Sequence, residues 1–127
     1  MVGRTNILLV SGDPETRRML SDILRPSGAK LTSASSVAEA RALLARERPA
    51  VVFCERRLAD GSFRDVLRTQ EVAEKGLPVV VASRLAETED YLEAMRLGAF
   101  DFIAQPYHRS EVEQIVQNAL HHGLVAA

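Results

Sequence analysis

Pro49-Ala50-Val51-Val52-Phe53-Cys54-Glu55-Arg56-Arg57-Leu58-Ala59-Asp60-Gly61 is the stretch that decides the reading of this chain. Its apolar run, Val51 to Cys54, shows no polar alternation and reads as a strand buried on both faces. The run ends abruptly in an acidic residue, Glu55, and in a loop that closes with Asp-Gly. In an open parallel α/β sheet, functional side chains collect at the C-terminal ends of strands. Glu55 is therefore the first candidate site residue.

Four further β-like runs flank this one, at about 7–10, 29–34, 79–82 and 100–104, with the quoted strand at 50–54. Five helix-like stretches separate and follow them. Apolar residues recur at three- and four-residue spacing: Met19, Leu20, Ile23 and Leu24; Val37, Ala40, Leu43 and Leu44; Phe63, Val66 and Leu67; Tyr91, Ala94 and Met95; Val112, Ile115, Val116 and Ala119. Pro14 suits a first helical turn, and Ser36–Glu39 and Ser110–Glu113 each read as a capping box. Gly28, Gly98 and Gly123 fall where helix ends are expected. Strict alternation of strand and helix predicts an α/β fold, a doubly wound five-stranded parallel sheet with helices on both faces. Residues 1–127 read as a single domain, without repeats or a flexible linker.

Composition narrows the function. A chain of 127 residues with net charge −1 has no field to draw nucleic acid or an anionic membrane. The first residues lead into an apolar run too short for a signal peptide or a membrane span, so a cytoplasmic location is expected. The lone cysteine, Cys54, falls inside a strand and reads as a small core residue. His108, His121 and His122 lack metal-ligand spacing, and the charges of 41–48 form an exposed mixed-sign helix face.

Four segments in order carry a resemblance to bacterial response-regulator receiver domains, the phosphorylation switches of two-component systems. They are Ile7-Leu8-Leu9-Val10-Ser11-Gly12-Asp13-Pro14, the Glu55 segment, Pro78-Val79-Val80-Val81-Ala82-Ser83-Arg84, and Gly98-Ala99-Phe100-Asp101-Phe102-Ile103-Ala104-Gln105-Pro106-Tyr107. Together they span residues 7 to about 120. The resemblance implies a flavodoxin-like sheet with strand order 2-1-3-4-5. It also implies a site in which two acidic residues and an acceptor aspartate hold Mg²⁺, a lysine neutralises the phosphoryl group, and a Ser or Thr couples to an aromatic.

Mapped by that resemblance, Ser11 and Gly12 occupy the acidic pair, with Asp13 the one acid that follows. Glu55 stands at the acceptor position, Gln105 at the lysine, Ser83 at the hydroxyl and Phe102 at the aromatic, while Arg84 replaces a usually very small residue. Other readings stand beside these: Asp13 as a helix N-cap before Pro14, Ser83 as a loop serine, Phe102 as plain core. An atypical, degenerate member lacking the acceptor aspartate is expected, with no enzymatic activity, no resident metal and weak or absent Mg²⁺ binding. Glu55 is one methylene longer than aspartate, and displacements of about 1 Å cost about 10²-fold in rate.

Such a domain is expected to act by binding signalling proteins, a histidine kinase or a downstream effector. The alternatives are a receiver still phosphorylated by a kinase, or a flavodoxin-like small-ligand binder. Glu55 is expected to pair with Arg84 or, less favourably, Arg56, and to carry negative charge toward Ser83. The resemblance further implies a contact face, for a homodimer or a partner, on the fourth helix, fifth strand and fifth helix, with Tyr91, Met95 and Tyr107 as candidate contacts.

Overall fold

The structure, a computed structural model, describes residues 5–85 and 87–126, with side chains described as far as His122. Residues 1–4, the stretch preceding the first apolar run, lie outside the described residues.

The element order is β1 (Asn6–Val10), α1 (Pro14–Leu24), β2 (Lys30–Ala34), α2 (Val37–Arg46), β3 (Val51–Glu55), β4 (Arg57–Leu58), β5 (Gly61–Ser62), α3 (Phe63–Leu67), α4 (Gln70–Ala73), β6 (Val79–Ser83), α5 (Thr88–Arg96), β7 (Asp101–Ala104) and α6 (Arg109–Ala126). Every pairing within the five-stranded sheet is parallel, and the order is β2-β1-β3-β6-β7. That is the expected 2-1-3-4-5 arrangement once the small β4-β5 hairpin is set apart.

Why the strands are apolar throughout is visible in the packing. Side chains alternate across a strand, so Leu8, Val10, Val52, Cys54, Val79 and Val81 meet α2, α3 and Ala94 of α5 on one face. Ile7, Leu9, Val51, Phe53, Val80 and Ile103 meet α1 and α6 on the other. Both faces being covered, an unbroken Val/Ile/Leu run is what burial requires. Cys54 is buried in this core, and burial pushes its thiol far above the usual range, so it behaves as an apolar filler.

The punctuation differs from expectation in three places. Ser36 caps α2 by accepting from Glu39 N at 3.1 Å, but Glu39 turns its carboxylate to Ser35. The first two N–H donors of the helix are met from outside instead: Asp60, in the β4-β5 turn, accepts from Val37 N at 2.8 Å and Ala38 N at 3.0 Å. Ser110 lies inside α6, whose first turn closes on His108 O instead. The α6 helix also runs through Gly123 to Ala126, since glycine permits a helix end without imposing one. Conversely, Gly28 and Gly98 take positive φ of 82° and 101° at the ends of their helical segments.

The third helical stretch is broken into α3 and α4. A complete capping box starts α3: Ser62 Oγ receives a backbone N–H, and Asp65 Oδ2 accepts from Ser62 N at 3.0 Å. Gly61 is needed beside it, because a Cβ there would stand 2.3 Å from Asp65 Oδ2.

Asp60 gives a stability test. The two α2 N–H donors hold its carboxyl below the usual carboxylate range. A depressed folded pKa contributes stability that is present above the unfolded value and lost as pH falls through the folded one. The native chain should therefore lose more stability than Asp60→Asn between about pH 5 and pH 2. Urea melts of both proteins across that range check this, and parallel losses would refute the cap.

Candidate functional site

The sheet ladder extends one residue past β1, β3 and β7. Ser11 N donates to Ala34 O at 2.9 Å, Arg56 N to Ala82 O at 3.0 Å and Gln105 N to Ser83 O at 3.0 Å. This aligns the ends of β1, β3, β6 and β7 and brings Ser11, Glu55, Ser83 and Gln105 to one edge of the sheet. A cleft of about 620 Å³ opens there, lined by Gly12, Asp13, Glu55, Arg56, Ser83 and Arg84 among others.

Ser11 is buried and spends its hydroxyl proton on Glu55 Oε1 at 2.9 Å. Ser11 Oγ in turn accepts from Asp13 N at 3.0 Å, and Arg17 donates to the Ser11 carbonyl. The half-buried Glu55 carboxylate is thus turned toward β1. No Lys or Arg nitrogen lies within 4 Å of it among the described residues.

The expected Glu55 ion pair is therefore not formed. Arg84 reaches Asp13 Oδ2 at 2.7 Å, and Arg56 reaches Asp90 Oδ1 on α5 at 3.0 Å. Solvation gives the reason. At Asp13 the Arg84 side chain stays 66% exposed, whereas drawing it down beside the strand end would strip water from the guanidinium. A serine hydroxyl serves Glu55 without that cost. The expectation that Glu55 carries charge toward Ser83 also fails, because its arm swings to Ser11 and the Ser83 hydroxyl accepts from Leu85 N at 3.2 Å.

Asp13 is the N-cap of α1, with Pro14 in the first turn. Its carboxylate accepts from Thr16 Oγ1 at 2.9 Å, Glu15 N at 3.2 Å and Arg84. The Thr16 hydrogen bond leads in holding its carboxyl below the ordinary value, with the Glu15 N–H and Arg84 adding to it.

Phe102 is half-buried and meets Tyr91 edge to face, ring centroids 6.0 Å apart. Tyr107 is half-buried with its hydroxyl 3.4 Å from Ser83 O, and burial raises its phenol pKa. Met95 packs partly buried against the core.

The donor set does not suit a hard divalent cation. Mg²⁺ asks for oxygen ligands in near-octahedral array. Here Asp13 is committed to a cap and an arginine, Glu55 to a serine, and Gly12 offers no side chain. Among the described residues no three His, Cys, Asp or Glu side chains gather closely enough to hold a metal ion.

Several participants were not singled out from the sequence. Ser62-x-x-Asp65 carries a readable capping signature. Asp60 and Asp90 carry none, since their partners lie across the fold, whereas Thr16 bonds Asp13 only three residues before it.

A parallel sheet of this order with polar side chains gathered at its strand C-termini defines the doubly wound α/β class. More narrowly, residues 7–117 match the response regulator receiver domain family, and the chain belongs to that family. It is 32% identical over 120 residues to the regulatory protein AtoC of Escherichia coli, covering 94% of this chain and 26% of AtoC. The chain thus spans about a quarter of the length of that relative. It is 30% identical over 118 residues to an uncharacterized 14.6 kDa protein of Leptolyngbya boryana, covering 91% of this chain and 90% of that protein. Among solved structures it resembles a receiver domain protein from Clostridium thermocellum, with TM-score 0.86, 19% identity and coverage of 98% and 100%. NtrX from Brucella abortus aligns at TM-score 0.85 and 26% identity over 95% of this chain and 28% of NtrX. Among the described residues no helix is long and apolar enough to cross a membrane.

Proposed function

We propose that this chain is a receiver that signals by protein–protein contact without being phosphorylated. The observation that carries the reading is the closed polar circuit at the strand ends: Ser11 on Glu55, and Arg84 on Asp13. In this reading Glu55 stands at the acceptor position, Ser11, Gly12 and Asp13 at the acidic positions, Gln105 at the lysine, and Ser83 and Phe102 at the switch pair.

Phosphoryl transfer depends on positioned charge, and losing one such stabiliser costs about 10²- to 10³-fold. Here the acceptor, an acidic pair and the cation are replaced together. A fixed carboxylate imitates a phosphoryl group only in part. It brings one negative charge and two oxygens, against a charge of about −1.5 to −2 and three acceptor oxygens.

The partners in this reading are signalling proteins, a histidine kinase or a downstream effector, met in the cytoplasm. The contact face lies on α5, β7 and α6, where a second copy or an effector would dock.

Intact-mass analysis after incubation with acetyl phosphate and Mg²⁺ tests the reading. The native chain should gain no mass. A gain of about 80 Da, one phosphoryl group, that disappears in Glu55→Gln would replace it with a phosphorylatable receiver.

A further inference from the structure

At the edge of the sheet opposite the Glu55 cleft lies a second cavity, of about 340 Å³. It opens between the C-terminal end of α2, the turn that follows α4, and α6. Small-molecule sites begin at about this volume, roughly 300 Å³. Hydrogen bonds hold its walls. Pro49 and Pro78 lead into β3 and β6, where Ala50 N donates to Asn6 O at 2.8 Å and Val52 N to Pro78 O at 2.9 Å. Gly76, at a φ of 70°, turns the chain after α4, and its N–H donates to Val72 O at 3.1 Å. That turn lays Leu77 against the core.

The lining has three chemical parts. Leu44, Leu77, Ala119 and Leu120 supply apolar surface, and Leu77 and Leu120 are only half-buried. Arg46, Arg48 and Lys75 bring positive charge, and Glu47 and Glu71 negative charge. None of these five forms an ion pair within 4 Å among the described residues. Opposite charges that share a cavity without closing on each other leave both signs open to a ligand.

Helix α2 adds acceptors. It ends with Glu47 N on Leu43 O at 2.8 Å, so the carbonyls of Leu44, Ala45 and Arg46 have no donor within the helix. These residues line the cavity, and the negative end of the helix dipole favours a cation there.

We propose that this cavity binds a free apolar amino acid, a zwitterion carrying an apolar side chain. Its ammonium group meets Glu47, Glu71 and the α2 carbonyls, and its carboxylate meets Arg46, Arg48 and Lys75. Its side chain covers Leu77 and Leu120. A purely anionic ligand would face two carboxylates and the helix's negative end, and a purely cationic one would face three basic side chains. Only a molecule of both signs satisfies the whole lining. The inference goes beyond the contact-module reading. The cavity stands the length of β3 away from Glu55 and does not depend on phosphoryl uptake.

Titration of the purified chain with L-tryptophan and with L-leucine, followed by ¹H–¹⁵N correlation spectra, tests this. At about millimolar ligand the amides of 44–50 and 71–77 should shift, while those of Ser11, Glu55 and Ser83 stay still. Tryptophan amide lacks the carboxylate, N-acetyltryptophan lacks the ammonium group, and glycine lacks the apolar body. Each should bind about tenfold or more weakly than tryptophan. Replacing both acids, Glu47→Gln with Glu71→Gln, should weaken tryptophan about tenfold and leave N-acetyltryptophan unchanged. Ala45→Trp, at an exposed position of the lining, should close the cavity and abolish the shifts, with circular dichroism confirming the fold. Spectra that neither amino acid moves would overturn the proposal. So would shifts confined to the Glu55 cleft, an analogue that binds as well as tryptophan, or binding that survives these variants.

Discussion

Rebuilding four positions should turn this chain into a phosphoryl acceptor. The variant Ser11→Asp, Glu55→Asp, Arg84→Ala, Gln105→Lys should bind Mg²⁺ and gain about 80 Da from acetyl phosphate, where in the proposed reading the native chain gains none. Each change removes one specific obstruction. Ser11→Asp replaces the hydroxyl that now satisfies Glu55 with a carboxylate ligand. Arg84→Ala releases Asp13 Oδ2 from the guanidinium at 2.7 Å. Glu55→Asp draws the carboxylate back by one methylene, and Gln105→Lys supplies the missing cation.

Misplacement and lost charge are each worth about 10²-fold, so the gain in phosphorylation rate should exceed about 10⁴-fold. The steps should be strongly non-additive, because groups that act as a unit fail together. Glu55→Asp alone should stay inert. If the rebuilt chain binds Mg²⁺ but takes no phosphate, the fault lies elsewhere in the pocket than these four positions.

Cutting the tie between Arg56 and Asp90 should have the second-largest effect. Asp90 is only 14% exposed, and its Oδ2 already has no hydrogen-bond partner. Arg56→Gln would leave the carboxylate in that position without its cation. Breaking a fully buried pair costs about 3–5 kcal/mol, and the partial exposure of Arg56 reduces this to about 2 kcal/mol here. Because α5 buries only Ala94 completely, the loss should be local. Amide exchange should accelerate in α5 while the β1 and β3 amides keep their protection.

A double-mutant cycle with Asp90→Asn isolates the pair. The double variant should be less damaged than the two single losses added together, since neither charge is then stranded. Uniform acceleration across the sheet would show instead that Arg56 supports the whole fold.

The pairings of Arg56 and Arg84 show where reading along the chain loses its power. The sequence held the strands and helices because each is written in local periodicity: the run from Val51 to Cys54 is buried on both faces, and the helix spacings match the faces that pack. Gly28 and Gly98 were legible for the same reason, since a left-handed backbone asks for glycine at one position. Which side chains reach the sheet edge was legible too, as Ser11, Glu55, Ser83 and Gln105 each end or follow a strand.

What those side chains do with one another was not. An arginine can span several ångströms in many directions, and its partner is chosen by which carboxylate it can meet while keeping its water. Asp13 before Pro14 is readable as an N-cap, but nothing in the sequence marks its hold on Arg84 or the roles of Asp60 and Asp90. Asp13 caps α1 and holds Arg84, Asp60 caps α2 from a distant turn, and Asp90 anchors α5.

The sequence by itself determined a doubly wound sheet, from its alternating strands and helices, and the quoted stretch a third strand that ends in a carboxylate, because burial on both faces leaves a mark on every residue of a strand. Only the tertiary structure decided that Glu55 is held by a serine and that both candidate arginines are engaged elsewhere. Those choices depend on distance and solvation between segments far apart in the chain, and no local pattern records them.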